Sequence, residues 1–435
     1  MKRLLIMFMV LALALPAFAR GGAEKANELV LLIGADISFE QYGIKEPSGA
    51  PTVHTRSIQA FQRENPGWIV RTVKVDLSSG STLTIDALVA AGQAPDLYID
   101  FAGRTGKYMV PEYALPLDPY ITDLDKWNPS VLATATRNGK VMGLPLSSWG
   151  VALAVNTDLL AEAGVKLPTV KDWTTDAFLS IAEAIKQKLP GKYATCLFAK
   201  NQSSDQWWMG WFYAFGARVY APGDYSRTVL NSPQAAASLK FQNLLVEQGY
   251  SPPNPEVLDD DVALDLWAKG KVAMLPMQAG HTMAMKGAVE QGVLAKPFNF
   301  VFTQLPHAPG LKSTPAAAGP TLAVAHKSGD AERNRAIARL AWYFANADYQ
   351  AVEAQTVGGY PSRLDVEVTW KTDPAWEQCL EVINQAGVMD LGITTPTFSE
   401  VRAQLFPLMQ EFFIGKMTAE QVLATYEKNV NAILK

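Results

Sequence analysis

An α/β fold built of two domains is what this chain of 435 residues predicts. Helix and strand signals alternate along the sequence instead of segregating. The first of them, strand, helix and strand at close spacing, reads as a parallel βαβ unit. At about 100–200 residues per domain, the length suits two domains, or three small ones.

The elements follow in order. Residues 29–33 form a short apolar strand that ends at Gly34. Residues 54–64 read as a helix before the turn Asn65-Pro66-Gly67, and 68–75 as the next strand. Residues 82–91 place Leu83, Ala87 and Ala90 on one helical face, Gly92 closes that helix, and 95–100 runs into a third strand. Gly143-Leu144-Pro145 precedes an apolar strand at 151–155, after which Thr157 caps a short helix ending at Gly164. Residues 173–188 are a longer amphipathic helix. Asn231-Ser232-Pro233 starts a helix, because Pro is tolerated in the first turn, and Gly249 stops it. Residues 322–325 are a strand and 333–350 one long helix. The closing helix, 418–435, begins with a capping box of Thr418 and Gln421. The Pro- and Gly-rich stretch 306–320 is too long for a structureless loop inside one domain and reads as a crossing between two lobes.

Composition removes several classes of function. With 38 Lys+Arg against 42 Asp+Glu, the net charge of −4 lacks the basic excess of a nucleic-acid binder. Two cysteines exclude a disulfide scaffold and a Cys-rich zinc module. Cys196 and Cys379 read as buried free thiols, with a disulfide as the alternative. The N-terminus carries Lys2 and Arg3, an apolar run over 4–15, Pro16, and the small-x-small site Ala17-Phe18-Ala19. That is the pattern of a secretory signal peptide over residues 1–19. The run is shorter than the ~20 residues a spanning helix needs. No Cys follows it for lipid attachment, so the expected location is periplasmic.

Catalytic motifs are missing. There is no G-x-S-x-G elbow, H-E-x-x-H pair, phosphate loop or G-x-G-x-x-G. His54, His281, His307 and His326 have no second ligand at metal spacing. Asp259-Asp260-Asp261 reads as the start of a helix, where carboxylates favour the helix dipole, and lacks the pattern of a calcium loop. No pair of acids stands out for glycoside hydrolysis. The chain is expected to be no enzyme and to carry no cofactor or metal.

Aromatic residues are abundant, with 11 Trp, 14 Tyr and 18 Phe. Trp207-Trp208-Met209-Gly210-Trp211 is the densest cluster. On a helix Trp207 and Trp211 share a face and Trp208 does not. An indole face matches the flat C–H face of a sugar ring. Trp68, Trp127, Trp173, Trp342, Trp370 and Trp376 read as packing residues. Trp149 and the Trp207–Trp208–Trp211 group remain as sugar platforms.

Five segments, in order, resemble the extracellular solute-binding proteins of ABC importers, in the carbohydrate-binding branch that includes maltose-binding protein. They are Asn65-Pro66-Gly67 with its following strand; Ala94-Pro95-Asp96-Leu97-Tyr98; Gly139 to Pro145 with Asp158-Leu159-Leu160; Gly270-Lys271-Val272-Ala273-Met274 with Gly280; and Gly358-Gly359-Tyr360-Pro361-Ser362-Arg363. The resemblance implies the type II-like periplasmic binding protein fold, two α/β lobes joined by a hinge with the ligand cleft between them. Lobe one would hold 27–147 and 316–366, and lobe two 148–315 and 367–435.

Carried over position by position, the resemblance implies these ligand contacts: Asp36 after the first strand; Asp100 and Arg104 after the third; Ser148 and Trp149 at the hinge; Trp208 or Trp211 on the lobe-two wall; Gly280 and His281, where relatives carry a Trp; Tyr360 and Arg363 on the lobe-one side; and Phe398 in a late loop. Each has a competing reading as a packing residue. For Arg363 it is an ion pair anchoring the loop. The implied function is capture of a sugar or oligosaccharide by a monomer and its delivery to the membrane permease of an ABC transporter. The same fold binding a polyamine, a metal chelate or another polar solute is one alternative. A secreted carbohydrate-active enzyme is another.

Overall fold

The structure, a computed structural model, describes residues 27–33, 52–74, 81–168, 173–201, 205–357, 359–367 and 374–435. The leader stretch 1–19, Asp36, Gly358 and Trp370 lie outside the described residues. Its main sheet has eight strands: β1 (Glu28–Ile33), β2 (Ile69–Lys74), β3 (Leu97–Phe101), β4 (Leu144–Asn156), β5 (Met274–Gln278), β6 (Phe300–Thr303), β7 (Ala318–Ala325) and β8 (Tyr360–Pro361). The order is β2-β1-β3-β7-β4-β6, and β5 and β8 also pair with β4.

The expected parallel unit is present. β1 runs parallel to β2 and to β3, and the helices Val53–Glu64 and Ser81–Ala90 make the connections. Alternation along the strands builds a core on each face of this sheet. Leu29, Leu31, Ile33, Leu97 and Ile99 meet Phe61, Ile337, Leu340 and Phe344 on one side. Leu32, Tyr98, Leu322 and Val324 meet Ile85 and Tyr108 on the other. A further core forms around Val151–Val155 of β4, with Phe178, Trp211, Leu239 and Leu423 from surrounding helices.

β4 joins these bodies. It is thirteen residues long and antiparallel to β7 and β8 at its start and to β5 and β6 at its end. Leu146 packs in the first body and Val151 in the second. The sequence reading places 151–155 in this strand and Gly143-Leu144-Pro145 before it, whereas the strand already begins at Leu144. A register shift opposite Thr321 and Leu322 accommodates the proline. Pro145 then offers its carbonyl to Trp127 Nε1 at 2.8 Å and Gln350 Nε2 at 3.2 Å.

Two other expectations change. Residues 333–350 are not one helix but parts of Ala331–Tyr343 and Ala347–Val357. Asn346 makes the break, since its Oδ1 accepts from Tyr349 N at 2.9 Å and starts a new first turn. The helix after β4 is capped by Asn156, whose Oδ1 accepts from Leu159 N, and not by Thr157. Ser232 and Asp259 cap their helices, and Thr418 with Gln421 forms the capping box.

Candidate functional site: the crossing strand

The residues Ser147 to Val151 of β4 lie where one core ends and the next begins. Register defines what they face. Thr321 of β7 pairs with both Ser147 and Phe101, and Gly319 pairs with Trp149. Paired residues project to the same side of a sheet, as do residues two apart in a strand. Phe101, Thr321, Ser147, Trp149 and Gly319 therefore share one face. Trp149 is half-buried there and meets Phe101 edge-on, with ring centroids 5.6 Å apart at 68°. A Cβ on Gly319 would come within 3.4 Å of the indole and 2.9 Å of Ile393, so the glycine lets both side chains pack closely over β7.

The end of β3 supplies charge. Asp100 accepts from the Tyr98 hydroxyl at 2.8 Å, from Phe101 N at 2.7 Å and from Arg104 Nη1 at 2.9 Å. Both partners of the ion pair are buried. Asp100 thus fixes Arg104, whose guanidinium carbon stands 5.5 Å from the Phe101 ring centroid.

The late helix Phe398–Arg402 approaches from the other body, where its Val401 packs. Phe398 meets Phe101 at 5.6 Å and 80°. Arg402, four residues on and so on the same helical face, puts its guanidinium carbon 5.7 Å from that ring. A Cβ on Gly103 would fall 2.4 Å from both phenyl rings, so only glycine allows this approach. Around it, Ser399 Oγ donates to Gly103 O at 3.2 Å, Arg137 Nη2 to Thr394 O at 3.0 Å, and Lys107 Nζ reaches Asp86 at 2.8 Å and Glu400 at 3.4 Å.

Asp100, Arg104, Trp149 and Phe398 are thereby gathered, while Ser148, next to Trp149 in the strand, projects to the opposite face with Tyr360, its partner in register. The Tyr360 side chain turns into the second core, its hydroxyl donating to Trp376 O at 3.3 Å. Trp208 backs Phe398 and Arg402 across a small cavity that also includes Leu391 and Tyr426. His281 stacks on Trp207 at 6.2 Å and 11° beside Gly280, and burial pushes its imidazole down to about 4, so it is neutral at pH 7. Trp211 stands apart, fully buried between Phe178 and Phe241. Arg363 also stands apart. It lies over Trp127 at 4.3 Å and pairs with Asp123 at 2.8 Å and Asp365 at 2.7 Å, an ion pair that anchors its loop. Cys196 and Cys379 are buried free thiols.

Phe101 and Arg402 escaped the sequence reading. The signals were there: Phe101 adjoins Asp100, and Arg402 follows Phe398 at helical spacing. Among the described residues, no group of three His, Cys, Asp or Glu side chains could hold a metal ion, and no helix is long and apolar enough to cross a membrane.

An α/β chain of two bodies joined by a long strand, with aromatic and charged side chains meeting at the crossing, has the architecture of a binding protein. The chain belongs to the bacterial extracellular solute-binding proteins, whose family model matches residues 47–350. A protein of Brucella abortus described only as a binding protein is 24% identical over 420 residues, 94% of this chain and 96% of its own. Solved structures share the two-lobed fold. The GacH receptor of Streptomyces glaucescens, solved unliganded and with acarbose, has a TM-score of 0.75 at 15% identity, covering 94% of this chain and 99% of that one. A solute-binding protein of Thermotoga lettingae bound with α-D-tagatose gives 0.76 at 20%, covering 94% and 100%. T. maritima MalE3 bound to maltose gives 0.75 at 18%, covering 93% and 99%.

Proposed function

We propose that this chain is the periplasmic binding protein of an ABC importer and carries a sugar or oligosaccharide to the membrane permease. The observation that carries this reading is Trp149. It stands half-buried on the strand that links the two bodies, beside Phe101 and packed over Gly319. A flat aromatic surface at the junction, rimmed by Arg104 and Arg402, offers stacking to a sugar ring and hydrogen bonds to its hydroxyls. The acarbose, tagatose and maltose bound by the proteins named above support the same ligand class. Lobe one comprises 27–147 and 316–366, and lobe two 148–315 and 367–435. Ligand touching both lobes favours the closed arrangement by its differential affinity. The protein acts as a monomer, exported behind residues 1–19, and binds without turnover.

The test is a thermal-shift screen of mono- and oligosaccharides with tryptophan fluorescence in parallel. A bound sugar raises the melting temperature and changes the emission. A broad sugar panel without either response overturns the assignment. N-terminal sequencing of the periplasmic fraction checks export.

A further inference from the structure

We infer that the segment 387–404 is a latch of the second body that docks on the first, and that Arg137 is the residue positioning it. Arg137 thereby sets the balance between open and closed lobes without touching the ligand. The inference rests on the closing of the lobes proposed above and not on the identity of the sugar.

The segment is fixed to the second body. Met389 N donates to Ala316 O at 2.9 Å and Ala316 N to Gly387 O at 2.8 Å, and Met389 and Ala316 both lie in the second core. Asp390 holds the turn that follows. Its carbonyl accepts from the Tyr213 hydroxyl, one carboxylate oxygen from the Tyr225 hydroxyl at 3.0 Å, and the other from Gly392 N at 3.0 Å. Thr395 Oγ donates to Gly392 O at 2.8 Å. Val401 then returns to the second core. Tied at its start, its turn and its end, the segment moves with that body.

Its other side meets the first body through backbone carbonyls. Ile393 O and Thr395 O each lie 3.6 Å from where a Cβ on Gly106 would stand, so both rest against this glycine. Between them, Thr394 O accepts from Arg137 Nη2 at 3.0 Å. Nη1 of the same guanidinium donates to Thr134 O at 3.0 Å and to Thr136 O at 2.9 Å. These two carbonyls flank Ala135, a core residue of the first body, and aim the third bond across the junction. Every partner of this half-buried guanidinium among the described residues is thus a carbonyl, and only one of them belongs to the other body.

A hydrogen bond from a charged donor is roughly twice as strong as a neutral one. Separating the bodies exchanges this bond for water, together with the Phe101–Phe398 and Lys107–Glu400 contacts of the same segment. Contacts made in one arrangement only shift the balance toward it. The apparent affinity for a ligand of the closed form then follows the closed fraction.

Spin labels on Glu112→Cys and Gln248→Cys, exposed positions in the first and second bodies, read the lobe arrangement in the ligand-free protein. The native thiols are buried and stay unlabelled. Arg137→Ala should populate a second distance at the expense of the first, changing their ratio at least about tenfold, the worth of one charge-assisted bond. Thr394→Ala keeps the carbonyl and should match the wild type. Gly106→Val crowds the two carbonyls without removing Arg137 and should shift the ratio the same way; it decides the matter if circular dichroism shows Arg137→Ala unfolded. Populations unchanged by the removal of Arg137, or shifted as far by Thr394→Ala, would overturn the latch. If maltose, α-D-tagatose or acarbose still moves the distances in every variant, the closing of the lobes stands without it. Distances that no variant and no sugar moves would overturn both.

Discussion

Phe101 ends β3, Phe398 opens a late helix, and their rings meet edge to face with centroids 5.6 Å apart. The pair ties β3, in the first body, to the helix that rests on the second core. Its existence depends on Gly103, because a methyl group there would lie 2.4 Å from both rings. Gly103→Ala should therefore push the late helix away from β3. Small-angle scattering should report a larger radius of gyration, and sugar affinity should fall about tenfold or more, since a misplaced wall loses its contacts. An unchanged scattering profile would show that the rings can give way.

The tryptophans divide into two groups that mutation can separate. Trp211 is 1% exposed and wedged between Phe178 and Phe241. Trp211→Ala should cost about 3–5 kcal/mol of stability in urea unfolding, the usual range for a large buried aromatic. Trp149 is half-buried and flanked by glycine. Trp149→Ala should cost less stability and remove most sugar binding by calorimetry. Equal effects on folding at both positions would return Trp149 to the packing residues.

Legibility from sequence followed locality. The βαβ opening, the capping box of Thr418 and Gln421, and the caps at Ser232 and Asp259 depend on neighbours within a few residues, and all were readable. The break at Asn346 is also local, but its signal was hidden by apolar periodicity continuing on both sides. Helix Asp205–Ala214 is apolar around its whole girth, so spacing alone could not tell a cleft wall from a buried helix. Its Trp208 and Trp211 are fully buried. Arg363 could not be placed because Asp123 and Trp127 lie far away in sequence. Glu353 was invisible for the same reason: its meaning comes from Ser147, across the fold.

Lys107 and Glu400 join the two sides near the Phe101–Phe398 contact, at 3.4 Å. Asp86 holds Lys107 in position and, with Glu400, raises its pKa against the opposing effect of burial. Glu400 is partly exposed, so salt screens the attraction and its worth is modest. Glu400→Lys replaces attraction by repulsion across the junction. Ligand affinity should drop several-fold at low ionic strength, and the loss should shrink at about 0.5 M salt as the Debye length contracts. A loss that does not change with salt would locate the effect in packing and not in charge.

Glu353 makes stability depend on pH with a definite sign. Its carboxyl titrates at about 7 in the folded protein, against an ordinary value of 4.5. Below the ordinary value both folded and unfolded chains hold the proton, and the group takes nothing from stability. Between about 4.5 and 7 the unfolded chain ionises while the folded one keeps its proton, so stability falls as pH rises through that window. Above it both states are ionised and the loss levels off. A separation of this size corresponds to about 3 kcal/mol. Glu353→Gln stays neutral, retains an acceptor for Ser147, and removes this contribution. Urea unfolding of both proteins from pH 4.5 to 8 should show the variant gaining on the wild type steadily up to about pH 7 and then running parallel to it. Curves that stay parallel across the whole range would mean that burial does not hold this carboxyl protonated in the folded protein.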